Sequence, residues 1–140
     1  MSNLDVTGLH CLCCAPAEST KGHYCARDKI LELAHIADSS ATTEIRNLFP
    51  SAPLLRLADI FTSAARQGRL AALDIGICSP DASGAGMDCT ATMYENKIRK
   101  YAEHLRQDNG FDYIPMICSC YGRAHPECQN DLKLLAQRAA

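Results

Sequence analysis

The chain predicts a small mixed α/β fold, with a short mixed sheet flanked by helices. Three observations carry that expectation. Apolar residues recur at helical spacing in two separated stretches, one around Ile30 and one around Ile98. An almost unbroken apolar run, 70–78, lies between them and suits a strand covered on both faces. A further apolar segment, 112–119, follows the second helical stretch. Helical and strand patterns that alternate along one chain are the mark of layered α/β domains.

Each element has its own local reason. Residues 1–22 lack long apolar periodicity and read as an irregular lead-in. Ala26, Ile30, Leu33, Ala34 and Ala37 share one helical face, which predicts a helix over 24–37, ended by Asp38-Ser39-Ser40. Residues 54–61 read as a strand and Gln67-Gly68 as a hairpin tip. The run 70–78 is the next strand. Pro80, Gly84 and Gly86 make 79–92 a loop. Tyr94, Lys97, Ile98, Tyr101, Ala102 and Leu105 predict an amphipathic helix over 92–108, stopped by Asn109-Gly110. A strand over 112–119 follows. Leu132, Leu135, Ala136 and Ala139 predict a short final helix.

A chain of 140 residues with 47% hydrophobic residues suits one domain with a real core. No apolar run approaches the roughly 18 residues that cross a bilayer, so no membrane partner is expected. Residues 1–8 lack a basic and apolar leader pattern. Nine cysteines, an odd number without an export signal, point to reduced thiols and an intracellular site, nuclear or cytoplasmic. Lys and Arg number 14 against 16 acids, for a net charge of −2. Nucleic-acid proteins usually carry a basic excess, so this balance weighs mildly against DNA while allowing a local basic patch. Lys97, Arg99, Lys100 and Arg106 on one helix, with Arg56, Arg66 and Arg69 near the strands, are the cations available for phosphates. The chain has no Trp for base stacking.

Two aspartates interrupt apolar strands: Asp59 in 56–61 and Asp74 in 72–77. An unpaired carboxylate there costs several kcal/mol, roughly 2–7 or more, so each needs a cation, a metal or water. Consecutive strands joined by a short hairpin are antiparallel neighbours, which could bring both carboxylates to one point. With a backbone carbonyl and waters they make a hard oxygen site for Mg²⁺ or Mn²⁺. A lysine would complete it by holding water or offsetting charge. Lys97, four residues before Tyr101 on a helix face, is the candidate. Taken singly, each of these residues is more often an ion-pair partner, a solvated lysine or a core-edge tyrosine.

The ordered combination resembles the restriction-endonuclease-like domain, of PD-(D/E)XK type, found at the C-terminal end of retrotransposon reverse-transcriptase polyproteins. His23, Arg27 and Asp28 are similar to that family's Arg-His-x-x-x-Arg-Asp helix start. Residues 56–60 are similar to its Arg-Pro-Ala-Asp-Val motif, with Leu57 for proline. Residues 72–80 are similar to its Ala-x-x-Asp-Val-x-Val-x-x-Pro strand, and 95–101 to its Glu-x-Lys-x-x-x-Tyr helix. Phe111 to Pro115 and Gly122 are similar to its Phe-x-Pro-Leu strand and Gly-rich turn. The resemblance spans roughly residues 10–127 of this sequence. It implies a restriction-endonuclease-like domain over 23–140 that hydrolyses DNA phosphodiesters with Mg²⁺. Asp59 and Asp74 would be metal ligands, Lys97 the catalytic lysine and Tyr101 its support. Glu44 is a weaker acidic match. Gly76 stands where the family's lysine usually does, two residues after Asp74.

The family often carries a zinc knuckle upstream, and 1–22 holds only a remnant of its second half around His10-Cys11-Leu12-Cys13-Cys14. His10, Cys11, Cys14 and Cys25 are the candidate zinc ligands. Cys118, Cys120, His125 and Cys128 have a second, knuckle-like spacing, but the resemblance implies no metal there. Besides an active endonuclease, two alternatives stay open: an inactive retroelement relic serving as an interaction module, and a small zinc-binding module.

Overall fold

A computed structural model describes residues 16–43, 45, 47, 49–50, 52–107 and 110–140. The fold is mixed α/β, and the described residues form three helices and one four-stranded mixed sheet. In chain order the elements are α1 (Pro16–Ala37), β1 (Thr42–Thr43), β2 (Ile60–Arg66), β3 (Arg69–Cys78), α2 (Cys89–Gln107), β4 (Asp112–Ser119) and α3 (Pro126–Ala139). The sheet runs β1-β2-β3-β4. β1/β2 and β2/β3 are antiparallel, and β3/β4 are parallel across the α2 crossover. Among the described residues, no helix is long and apolar enough to cross a membrane.

Strand alternation sorts the core into two layers. Ala71, Leu73 and Ile75 of β3, with Ile60, Ile114 and Met116, face Ala34 of α1 and Cys128 and Leu135 of α3. Ala72, with Phe61 and Phe111, turns the other way and meets Tyr101 of α2. Cys78, Ile117 and Cys89 continue that second layer toward the start of α2. Asp74 and Gly76 stand on the same side as Ala72 and Cys78, so they belong to the α2 face.

Several boundaries differ from the sequence-based expectation. The strand expected over 54–61 begins at Ile60 and continues to Arg66. Leu54 is 95% exposed, so the apolar residues 54–57 do not form a strand. The buried pattern resides instead in 60–65, where small alanines fit beneath the helices. The hairpin tip at Gln67-Gly68 is where expected, and both residues take positive φ. α1 begins at Pro16, inside the stretch read as lead-in, with proline at the first helical position, where its missing N–H costs nothing. α2 starts at Cys89, three residues earlier than expected. Asp88 explains this: its Oδ1 accepts from the backbone N–H of Thr90 at 2.9 Å and of Ala91 at 3.3 Å, a helix-capping arrangement. β4 occupies 112–119 as read.

β2 pairs with β3 only as far as Leu73. Beyond that point β3 has β4 on one side and, among the described residues, no strand on the other. This early end of β2 positions the candidate site.

Candidate active site

Asp74 is 7% exposed in the central strand. Its Oδ1 accepts from Lys97 Nζ at 2.7 Å and its Oδ2 from the Tyr113 hydroxyl at 2.6 Å. The lysine comes from α2 and the tyrosine from β4, where Tyr113 is in register with Ala72 and so shares the α2-facing side. Burial pushes the Asp74 carboxyl above the usual aspartate range, and the nearby Asp59 charge adds to it. Lys97 and Tyr113 oppose the shift without cancelling it. Burial and the Asp74 charge push the Tyr113 phenol far up, so it is a donor at any working pH.

Gly76 makes this arrangement possible. A Cβ there would lie 2.8 Å from Ile117 Cδ1, 2.8 Å from Met93 Sδ and 3.1 Å from Lys97 Cε. The lysine stem, with Met93 and Ile117, fills the space that any side chain at position 76 would need. Gly76 therefore leaves the room through which a helical lysine reaches the strand carboxylate.

Asp59 sits one residue before β2. Its Oδ2 accepts from the Ile75 N–H at 2.8 Å, and its Oδ1 lies 3.0 Å from His23 Nε2 of α1. The carboxylate thus takes a β3 donor that β2 ends too early to pair. In a strand, a residue's N–H and C=O leave toward the same edge, so the Ile75 carbonyl points to the Asp59 side. A cavity of about 220 Å³ opens beside this edge, lined by Gly22, His23, Ile75, Gly76, Met93 and Lys97. A larger one, about 540 Å³, shares Lys97 and Met93 with it and includes Asn96 and Lys100.

Asp59, Asp74 and Lys97 thus converge from three separate sequence segments. Tyr101 stands one step back. Its hydroxyl donates to the Arg56 carbonyl at 3.3 Å, and its ring meets the Tyr113 ring edge-on at 5.3 Å. Glu44, His10, Cys11 and Cys14 lie outside the described residues. Cys25 is exposed on α1. The sequence reading missed Tyr113 as a partner of Asp74. Its signal was strand register: residues 72 and 74 share a face, and the tyrosine stands beside residue 72. His23 was legible only as part of the helix-start motif.

The donors suit a hard divalent cation: two carboxylates close enough to interact electrostatically, and a backbone carbonyl directed to the same edge. Among the described residues, no group of three or more His, Cys, Asp and Glu side chains is arranged to hold a metal. Any cation here would complete its shell with the carbonyl, water and substrate oxygens. The second cysteine pattern is otherwise engaged. A hydrogen bond from Cys128 lowers the Cys118 thiol to about 7. His125 caps α3 through its Nδ1 and stacks on Tyr94 at 4.2 Å.

Comparison of the chain with protein-family models, curated proteins and solved structures returned no match. The class that fold and geometry define is a mixed α/β domain with a buried, lysine-paired carboxylate at the open edge of its central strand.

Proposed function

We propose that this domain is a Mg²⁺-dependent DNA endonuclease of the restriction-endonuclease-like kind, derived from a retroelement. The observation that carries the reading is the 2.7 Å contact between Lys97 and Asp74 across Gly76, with Asp59 bonded to the very next backbone N–H. Asp59, Asp74 and the Ile75 carbonyl would hold the cation. A hard divalent ion supplies Lewis acidity and a more acidic water at such a site. Lys97 offsets charge that develops on the phosphate or holds the attacking water. Tyr113 fixes the Asp74 carboxylate, and His23 fixes that of Asp59. Lys100 and Asn96, which line the larger cavity with Lys97, would meet the phosphate backbone of the strand.

The purified chain should nick supercoiled plasmid with Mg²⁺ or Mn²⁺. Asp74→Ala should abolish nicking, and Lys97→Ala should slow it by about 10²–10³-fold. Gly76→Ala should also slow it, because the new methyl crowds Met93 and Ile117 and, with them, the lysine stem. Equal nicking by wild type and Asp74→Ala would end the catalytic reading.

One observation favours a second reading, the inactive relic that keeps the fold as an interaction module. All four oxygens of Asp59 and Asp74 already face protein donors. Calorimetric titration with Mn²⁺ separates the two: a relic gives no binding heat that Asp59→Asn removes.

A further inference from the structure

Cys78 ends β3 and Cys89 begins α2, eleven positions apart in sequence. Their sulfurs lie 3.1 Å apart, and both residues are buried. A disulfide bond is about 2.05 Å long, so the sulfurs need to close by only about 1 Å. Both cysteines line the 540 Å³ cavity, together with Ser79, Ala82, Thr92 and Met93. A small reagent in that cavity meets the thiols although neither is on the outer surface. The intervening loop turns through Gly84 and Gly86, both at positive φ, and ends at Asp88, which Arg123 holds at 2.6 Å. The loop is thus already folded back with its two ends together.

We propose that Cys78 and Cys89 are a disulfide-forming pair, oxidised by a small hydroperoxide that enters the 540 Å³ cavity. The Cys89 sulfur, at the N-terminal end of a helix whose dipole favours negative charge, attacks the peroxide. The O–O bond breaks, an alcohol or water leaves, and Cys89 becomes a sulfenic acid. The Cys78 sulfur then attacks that sulfur, the S–S bond forms, and the sulfenic oxygen departs as water with the remaining thiol proton. Each sulfur gives up one electron, and the peroxide takes both. Burial pushes the Cys78 thiol up to about 12, which disfavours it as the first attacker. The crosslink would staple the start of α2 to the end of β3. It does not depend on the endonuclease reading.

Tryptic cleavage after Arg69 and Lys97 leaves both cysteines on one peptide, 70–97. The folded full-length chain is treated with hydrogen peroxide, unfolded, alkylated, digested and weighed. Exposed Cys25 reports that the oxidant was active. We expect most of peptide 70–97 to be unalkylated, lighter by two hydrogens, and restored by dithiothreitol. Cys89→Ser should return Cys78 to the alkylatable pool. Two outcomes overturn the proposal: peptide 70–97 fully alkylated while Cys25 is oxidised, or the same yield of crosslink from a chain oxidised after unfolding.

Discussion

Asp74 is held by two opposing influences. Lys97 and Tyr113 favour its anion, while burial and Asp59 favour its acid, and burial is the larger. The native state therefore binds this proton more tightly than the unfolded chain does. The sign follows from linkage. Below the ordinary aspartate value, about 3.9, the stability contributed by this group is fully present. It is lost as pH rises from there through the raised folded value. Asp74→Asn removes that dependence, so the stability of wild type relative to the variant should fall as pH rises across this window. Urea unfolding of both proteins from acid to neutral pH measures the trend. A flat difference would mean that the folded carboxyl titrates normally. The same charge balance predicts that cation binding releases a proton and tightens as pH rises. Asp59 and Asp74 were legible in the sequence because a carboxylate inside an apolar strand has to be explained. Tyr113 was not, because a tyrosine at a strand edge is ordinary until the register with β3 is known.

Among the elements, α1 and β2 are joined by one side chain. Asp38, just past the end of α1, accepts from Thr62 Oγ1 at 2.8 Å and from the Ser63 N–H at 2.7 Å. Its other oxygen accepts from the Ser40 N–H at 3.0 Å. The register of β2 against β3 is irregular between Thr62 and Arg66, and Asp38 takes the Ser63 donor within that stretch. Partial burial pushes this carboxyl up, but the Ser40, Ser63 and Thr62 donors together hold it well below the usual range. Asp38→Ala should cost about 2 kcal/mol at neutral pH, the loss of one half-buried, charge-assisted acceptor. The cost should shrink as pH falls below about 4, where the unfolded chain's carboxyl takes up its proton while the folded one still resists it. Denaturant midpoints at two pH values check both statements. A pH-independent cost would place the effect elsewhere. The sequence marked Asp38-Ser39-Ser40 as a helix stop. It could not show that the stop also braces a strand, because that bond spans 24 positions. The misplaced start of β2 has a similar cause. Leucines at 54, 55 and 57 look like a strand until their exposure is known, and only Leu57 is buried.

Across the whole molecule, α3 is locked to the sheet by a partly buried ion pair between Arg66 of β2 and Asp131 of α3. Arg138 of the same helix donates to the Ala64 carbonyl. Asp131 is 3% exposed, while the Arg66 side chain keeps about a third of its surface in water. Asp131→Ala should therefore cost about 2–3 kcal/mol, below the 3–5 of a fully buried pair. Replacing both partners, as in Arg66→Met with Asp131→Leu, should recover most of the loss. Chemical denaturation of the single and double variants tests this, and equal losses in both would sink it. The overall class, a mixed α/β domain, was readable from alternating periods alone. The two-residue β1 was not, because so short a segment leaves no pattern. The three-way convergence at Asp74 was only half readable. The order of motifs suggested it, but Gly76 looked like a missing lysine rather than an opening for one.

That opening ties positions 76 and 97 into a single volume. The glycine leaves room for Met93, Ile117 and the lysine stem together, and the helical lysine keeps this route only while nothing grows from the strand. Substitutions at the two sites are therefore conditional on each other. A variant with a lysine on the strand at position 76 would first have to shorten its helical one, and the intermediate sequence would carry either a clash or a hole.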